Sequence, residues 1–495
     1  MGLYLYGASV QGIQNFIFQS NKLREIVGAS EMVSQICTRL FYELLQQKKY
    51  ASDIQLSEAM CADDNFILHA AGNIKYIFED KDICERVVLE FPKRVMEYAP
   101  GITLSQAVVE FNEDFSSAVY ELEKNLAIQR NKPFRSMTLG LMGIARSRRT
   151  GLPVTTVKQD YCDDATYKKL QASELQRLVL RATGCNIKET QIAYDVRDLV
   201  NERNNWIAVI HADGNGLGSI VQKVGCDSSR LKIFSEELDK RTVSAAQAAY
   251  DMVASAATKT GFLPIRPVVL SGDDFTVICR ADIALEYTHA FLKAFEEKTK
   301  GLIKPNEIFI KGSKRDCMTA CAGIAYVKAS YPFYYAYELA ENLCSAAKAD
   351  AKDNDDIRRG IELPQSCILF HKVQDSFNEE YDEIIERELH PRQDLWLNFG
   401  PYYLTEKPER WTVDQLLEEV KKMHGEKGNV VKNSIREWLS AVYQGTEKEE
   451  ILTRRIRQLH QKEDVFDTYQ KAVSPNGLKK VPAYDILVIK TITAE

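Results

Sequence analysis

No stretch of the 495-residue chain approaches the roughly 20 consecutive apolar residues that span a bilayer, which excludes a membrane-spanning helix. Met1 to Tyr6 lack the basic start and the apolar run of a secretory signal, and Tyr6 breaks the myristoylation pattern that Gly2 would begin. Paired cysteines are missing too. The eleven present, an odd number scattered singly, point to free thiols in a reducing compartment. Nor is there an excess of positive charge: 64 Lys and Arg stand against 70 Asp and Glu, for a formal net charge of −6. That excludes a globally basic surface as the basis of nucleic-acid binding and leaves only local patches. Low-complexity tracts are absent. What remains is an ordinary globular composition, 45% apolar and 27% charged, in a chain long enough for about three domains. It reads as cytoplasmic, with no membrane partner.

The pattern along the chain suggests four parts. Residues 1–139 begin with a strand at Leu3–Tyr6, followed by helical spacing over Gln11–Leu45 that Gly28-Ala29-Ser30 interrupts, where the backbone passes close to something. Phe66–Leu68 and Ile102–Val109 read as strands with a helix, Asp80–Tyr98, between them. Residues 140–205 read as a small connecting module with an exposed basic loop, Arg146–Arg149, and a helix near Ser173–Arg181. Residues 206–376 give β-α-β-β-α-β: strands at Trp206–Ile210, Pro267–Leu270, Phe275–Cys279 and Met318–Val327, helices at about 229–258 and 281–297, then a helix at Tyr337–Ala349. Residues 377–495 are charged and mainly helical, with a final apolar run, Ala483–Ile492, that suits an edge strand. The fold class is α+β, with two ferredoxin-like palms, a connecting module and a C-terminal helical domain.

The central unit carries the chemistry. Asp213 stands just past the end of one strand, and Asp273 and Asp274 occupy a tight hairpin between two others. In a β-α-β-β-α-β sheet these strands are neighbours, so the three carboxylates converge. Clustered carboxylates repel one another unless a divalent cation sits among them, and hard oxygen ligands suit Mg²⁺ or Mn²⁺, with two ions expected for in-line nucleotidyl transfer. Gly214, Gly216 and Gly218, around Asn215, leave backbone N–H groups unshielded at a helix start, which favours phosphate. Gly272 lets the hairpin turn tightly.

At these residues the sequence resembles a known family. Ser271-Gly272-Asp273-Asp274 is similar to the Gly-Gly-Asp-Asp hairpin of the large subunit of type III CRISPR effector complexes, the CRISPR polymerase family, whose palm is related to GGDEF-type nucleotide cyclases. Gly12-Ile13-Gln14-Asn15-Phe16-Ile17-Phe18, with Leu23-Arg24-Glu25-Ile26 and Gly28-Ala29-Ser30, looks like its first palm. Ala322-Gly323-Ile324-Ala325 with Tyr331-Pro332, Ala346-Ala347-Lys348 and Gly400-Pro401-Tyr402-Tyr403 continue the likeness over nearly the whole chain. The resemblance implies two facing palms that bind two ATP molecules and make cyclic oligoadenylate when the complex has bound target RNA. Asp213, Asp273 and Asp274 would then be catalytic metal ligands. Gly214, Asn215, Gly216, Ser271 and Gly272 would line the nucleotide site, Lys348 would neutralise triphosphate charge, and Ser20 would help hold the second nucleotide. Guide or target RNA and other effector subunits are the implied partners.

The chain departs from that family in three ways. Ser271 replaces a glycine. No His-Asp dipeptide occurs and no domain is expected before the first palm, so the nuclease domain of many members is missing. Cys162 and Cys185 stand alone where cysteine pairs are usual, which argues against structural zinc. Two other readings stay open: an RNA- and protein-binding scaffold with a vestigial hairpin, and a stand-alone cyclic nucleotide synthase, which could be a homo-oligomer. Cys317 and Cys321 are read as core, Asp63-Asp64 as a turn, and His211 as an ordinary strand-end histidine.

Overall fold

The computed structural model describes residues 2–70, 72–112, 114–132, 143–156, 161–185, 187–200, 205–255, 261–304, 315–353, 357, 362–374, 381–459, 468–469 and 479–493. The boundaries read at 139/140 and 376/377 lie outside them. In the first palm, β1 (Leu3–Gln11), β2 (Phe66–Ala70), β3 (Asn73–Phe78) and β4 (Thr103–Phe111) form an antiparallel sheet in the order β2–β3–β1–β4. β3 is an addition to the strands read from sequence. It hairpins back from β2 through Gly72, whose φ of +77° suits a turn.

Helix α1 (Leu23–Gln35) continues through a π-helical turn at Ile36–Leu40 into Phe41–Gln46. The interruption expected at Gly28–Ser30 is not there; the chain breaks earlier, between the one-turn helix Ile13–Ile17 and Leu23. The glycine serves a close approach instead. A Cβ on Gly28 would stand 1.7 Å from the Lys169 carbonyl oxygen. Besides a helix at Asp53–Ala62, this half holds α2 (Lys81–Tyr98), α3 (Phe115–Arg130), α4 (Asp164–Ala172) and α5 (Arg177–Thr183). The connecting residues are therefore packed in: α4, which carries Lys169, lies against α1. The arginines of the Arg146–Arg149 loop are exposed as read, but Ser147 is buried and Arg149 pairs with the buried Glu25.

The second palm comprises β5 (Trp206–Gly214), α6 (Leu217–Val224), α7 (Ser228–Val253), β6 (Ile265–Ser271), β7 (Asp274–Arg280), α8 (Ala284–Lys298), β8 (Ala320–Lys328) and α9 (Phe333–Ala351). Two further strands, β9 (Cys367–Lys372) and β10 (Tyr402–Tyr403), extend its sheet to the order β10–β9–β8–β5–β7–β6. β9 runs parallel to β8, and neither added strand was read from sequence. The edge strand β6 is covered by α1, where the Ser30 hydroxyl donates to the Val268 carbonyl.

Period-two alternation divides β5 between two cores. Ala208 and Ile210 pack with α7, α8 and the C-terminal helices, whereas Ile207 and Val209 face α9 and the first palm. The C-terminal helices are α10 (Val413–His424), α11 (Glu426–Val442), α12 (Thr446–Leu459) and α13 (Ala483–Ile492). The last corrects the expected edge strand. Ile486, Leu487, Val488, Ile489 and Ile492 are all buried, and so are Asp485 and Lys490, so the helix is enclosed on every side by the bundle. No helix among the described residues is long and apolar enough to cross a membrane.

Candidate active site

His211 and Asp213 continue the odd-numbered face of β5, the one turned toward α9 and the first palm. β7 runs antiparallel beside it, pairing Ala212 with Phe275 and His211 with Thr276, which sets Asp274 next to Asp213. Among the described residues, the set of possible metal ligands whose atoms all lie within 4.8 Å of one another is His211, Asp213 and Asp274. Asp273 sits at the hairpin tip against Gly214, whose missing side chain makes room for it: a Cβ there would be 2.6 Å from Asp273 Oδ2. The three aspartates read from sequence therefore do converge.

The electrostatics follow from crowding. Burial, then the charges of Asp273 and Asp213, push Asp274 up to about 7. Burial and Asp213 raise Asp273 as well. Lys348, on α9, supplies the nearest cation, donating to Asp213 Oδ2 and to the Gly214 carbonyl at 2.9 Å. Burial works against its charge, but Asp213 prevails and holds Lys348 above its usual value. Burial also pushes His211 down to about 4, so the ring is neutral at pH 7. Its Nδ1 lies 3.0 Å from Thr276 Oγ1, and its ring meets Tyr337 edge-on.

Crowded carboxylates driven toward protonation are the donor set that a hard divalent cation relieves, so these residues fit Mg²⁺ or Mn²⁺. The hairpin is held from behind. Gly272, at φ +63°, donates its N–H to Asp239 Oδ1 at 3.2 Å and accepts from the Thr242 hydroxyl at 2.6 Å. Asp239 is itself paired with Arg181 at 2.7 Å. Ser271 pairs with Asp274 across the turn in ordinary strand register.

The other residues read from sequence divide. Gly216, at φ +70°, starts α6 with no side-chain cap, which leaves the helix start open. Asn215 lies with its side chain turned into the protein. It is completely buried, its Nδ2 donating to Thr319 Oγ1 at 3.1 Å and its Oδ1 accepting from the Cys321 thiol at 3.5 Å, so its side chain braces the loop from inside. Ser20 lies outside the carboxylate cluster, where its hydroxyl accepts from the Lys22 N–H at 3.4 Å. Cys317 and Cys321 are buried as read. Asp63 accepts from Asn65 N–H at 3.1 Å in a turn, as read.

Sequence reasoning missed the contacts that join the palms. Gln14 Nε2 donates to Tyr337 OH at 3.4 Å and to Glu341 at 3.3 Å, and Asn21 Oδ1 accepts from Phe333 N–H at 3.1 Å. Gln14 stood inside a motif noted for its resemblance alone. Its approach to α9 had no local signal.

Residues 206–356 match the family model described as Cas10/Cmr2, second palm domain. Over those residues the chain is similar to that second palm domain. This bears out the resemblance read from the hairpin. The Cas10/Cmr2 match spans the strands and helices that bear Asp213, the acidic hairpin and Lys348. Solved structures extend the likeness to the whole length. A Csm1–Csm4 cassette in complex with cA3 aligns at TM-score 0.55 and 14% identity, over 100% of this chain and 70% of that one. The cassette in complex with pppApA gives 0.55 and 13%, and Csm1 in T. onnurineus gives 0.55 and 15%, each with the same coverage. At these identities the likeness is one of fold. No curated protein matches the chain.

Proposed function

We propose that the chain is a metal-dependent nucleotidyltransferase that joins ATP into cyclic or linear oligoadenylate within a CRISPR-type antiviral defence. The observation that carries this reading is the convergence of Asp213, Asp273 and Asp274 with Lys348 on the sheet face turned toward the first palm. Asp213 and Asp274 would hold one cation and Asp213 with Asp273 a second. When bound, such cations lower the pKa of an attacking 3′-hydroxyl and stabilise the leaving pyrophosphate. Lys348, released from Asp213, turns its charge to the triphosphate. Gly214 makes room for Asp273, and Gly216 turns the backbone into α6 with no side-chain cap, so that the helix start can face phosphate. The Arg181–Asp239–Gly272 chain fixes the hairpin, so little reorganisation is needed during the reaction.

The complexes of related cassettes with cA3 and pppApA support adenylate as the substrate class. A second nucleotide on the first palm would lie near Ser20, whose neighbours Phe18 and Asn21 touch α9. Guide or target RNA and other effector subunits are the partners this reading implies.

The test is incubation of the purified chain with each nucleoside triphosphate and Mg²⁺ or Mn²⁺, with products identified by mass spectrometry beside Asp213→Asn. Oligoadenylate from ATP that disappears in the variant is the expected result. Product only after RNA and partner subunits are added identifies a gated enzyme. No product under either condition overturns the reading in favour of a vestigial scaffold.

A further inference from the structure

The ligand set that the fold brings together is not all oxygen. His211 and Asp213 are two apart on β5 and therefore share a face, and Asp274 is delivered beside them by the antiparallel register of β7. A ring nitrogen of His211 and one oxygen each from Asp213 and Asp274 lie within 4.8 Å of one another, closely enough to bind one ion. Asp273 is not part of this set, but it lies against Asp213 and beside Gly214 at the hairpin tip. The imidazole is also held in place. Nδ1 is 3.0 Å from Thr276 Oγ1, and Tyr337 closes on the ring edge-on at 5.6 Å between centroids. A metal-bound histidine characteristically has its second ring nitrogen engaged in this way, which fixes the ring's orientation. With Nδ1–H given to Thr276, the lone pair falls on Nε2.

We propose that His211 is a nitrogen ligand of the cation shared by Asp213 and Asp274, and that it makes this position select Mn²⁺ over Mg²⁺. The selectivity follows from ligand chemistry. Mg²⁺ keeps to carboxylate, carbonyl and water oxygens and sheds water reluctantly, whereas imidazole binds first-row transition ions readily. Mn²⁺ accepts a mixed nitrogen and oxygen set and remains compatible with phosphate oxygens. The Asp213–Asp273 position has no such nitrogen and stays indifferent between the two ions. A packing histidine satisfied by Thr276 would need no carboxylates beside it. Here two converge on the same face, in a site whose repulsion already calls for a cation.

This inference rests on the metal-dependent reading of the site, and the experiment separates the two. Mn²⁺ is titrated into the full chain and followed by electron paramagnetic resonance, with Mg²⁺ as competitor. Bound Mn²⁺ is then examined by spin-echo modulation in protein carrying either natural or ¹⁵N-labelled histidine. The expected result is a ¹⁴N coupling that is replaced on labelling and is lost in His211→Gln. In that variant Mn²⁺ affinity falls about tenfold while Mg²⁺ affinity changes less than about twofold. Bound Mn²⁺ without histidine nitrogen coupling, or an unchanged Mn²⁺ to Mg²⁺ preference in His211→Gln, overturns the assignment and leaves the carboxylate site standing. Failure of the wild-type chain to bind either ion overturns the metal-dependent reading as well. The labelling arm needs no variant, so its outcome does not depend on how His211→Gln folds.

Discussion

The Phe18 ring of the first palm stacks on Tyr337 of the second, with centroids 4.6 Å apart and planes 27° from parallel. Tyr337 in turn meets His211, so one aromatic step separates the first palm from the carboxylate cluster. Phe18 caps the one-turn helix Ile13–Ile17, just before the chain breaks and starts again at Leu23.

The first prediction concerns this stack. Phe18→Leu and Tyr337→Leu each remove one ring while keeping an apolar side chain in place. In a double-mutant cycle on thermal unfolding, the two changes should couple by about 1 kcal/mol, the worth of an aromatic pair beyond its burial. Coupling near zero would mean that the palms are held elsewhere.

The second prediction concerns the cost of the acidic cluster. Asp274 is raised to about 7, above its unfolded value, so its neutral form is the one the folded state favours. Its favourable contribution is complete at pH values below about 4 and is lost as pH climbs through about 7. In metal-free buffer the wild-type melting temperature should therefore fall between about pH 4 and pH 7 and level off above that. Asp274→Asn should flatten that slope and stabilise the chain at pH 8 by about 2 kcal/mol, while abolishing turnover. Calorimetry across the range checks the first effect, and product formation checks the second.

The third prediction links the C-terminal domain to Lys348. Asp350, two residues beyond Lys348 at the end of α9, is bonded by Arg410, by the Tyr403 hydroxyl and, through its carbonyl, by Lys407. Arg410 thus anchors the helix end that presents Lys348. Arg410→Ala should raise KM for ATP about tenfold by letting that end fray, and Arg410→Lys should recover part of it. A change in kcat alone would place Arg410 elsewhere in the reaction.

What could be read in advance tracks how local the signal was. The hairpin Ser271–Asp274 and the strands around it were legible because turn chemistry and alternation agree over a few residues. β3 and β9 were not, since Asn73–Phe78 and Cys367–Lys372 are short apolar runs that become strands only when a neighbouring edge pairs with them. Ala483–Ile492 misled for a related reason: its four consecutive apolar residues, Ile486–Ile489, give no period with which to separate helix from strand. Asn215 was read as a nucleotide contact from its place in a glycine-rich loop, but Thr319 and Cys321 claim its side chain from below. His211 was set aside as a strand-end residue because its partners arrive from β7, sixty-odd positions along the chain.

The fourth prediction tests the close packing of α9 on the sheet. At Gly323 on β8 a Cβ would fall 2.0 Å from the Ala340 carbonyl oxygen and 2.6 Å from the Cys344 amide nitrogen. Both obstacles are backbone, so no side chain can swing aside, and the helix as a whole must retreat. Gly323→Ala should therefore destabilise the chain by about 3 kcal/mol, at the severe end for one added methyl group. The retreat has a functional reading too, because the same helix carries Tyr337, Glu341 and Lys348. Moving its axis outward draws Lys348 away from Asp213, and the remaining folded protein should bind ATP more weakly at a temperature where it is still fully folded. A Gly323→Ala chain that loses stability yet binds ATP as the wild type does would show that Lys348 finds its place through the Asp350 anchor rather than through the packing of α9 on β8.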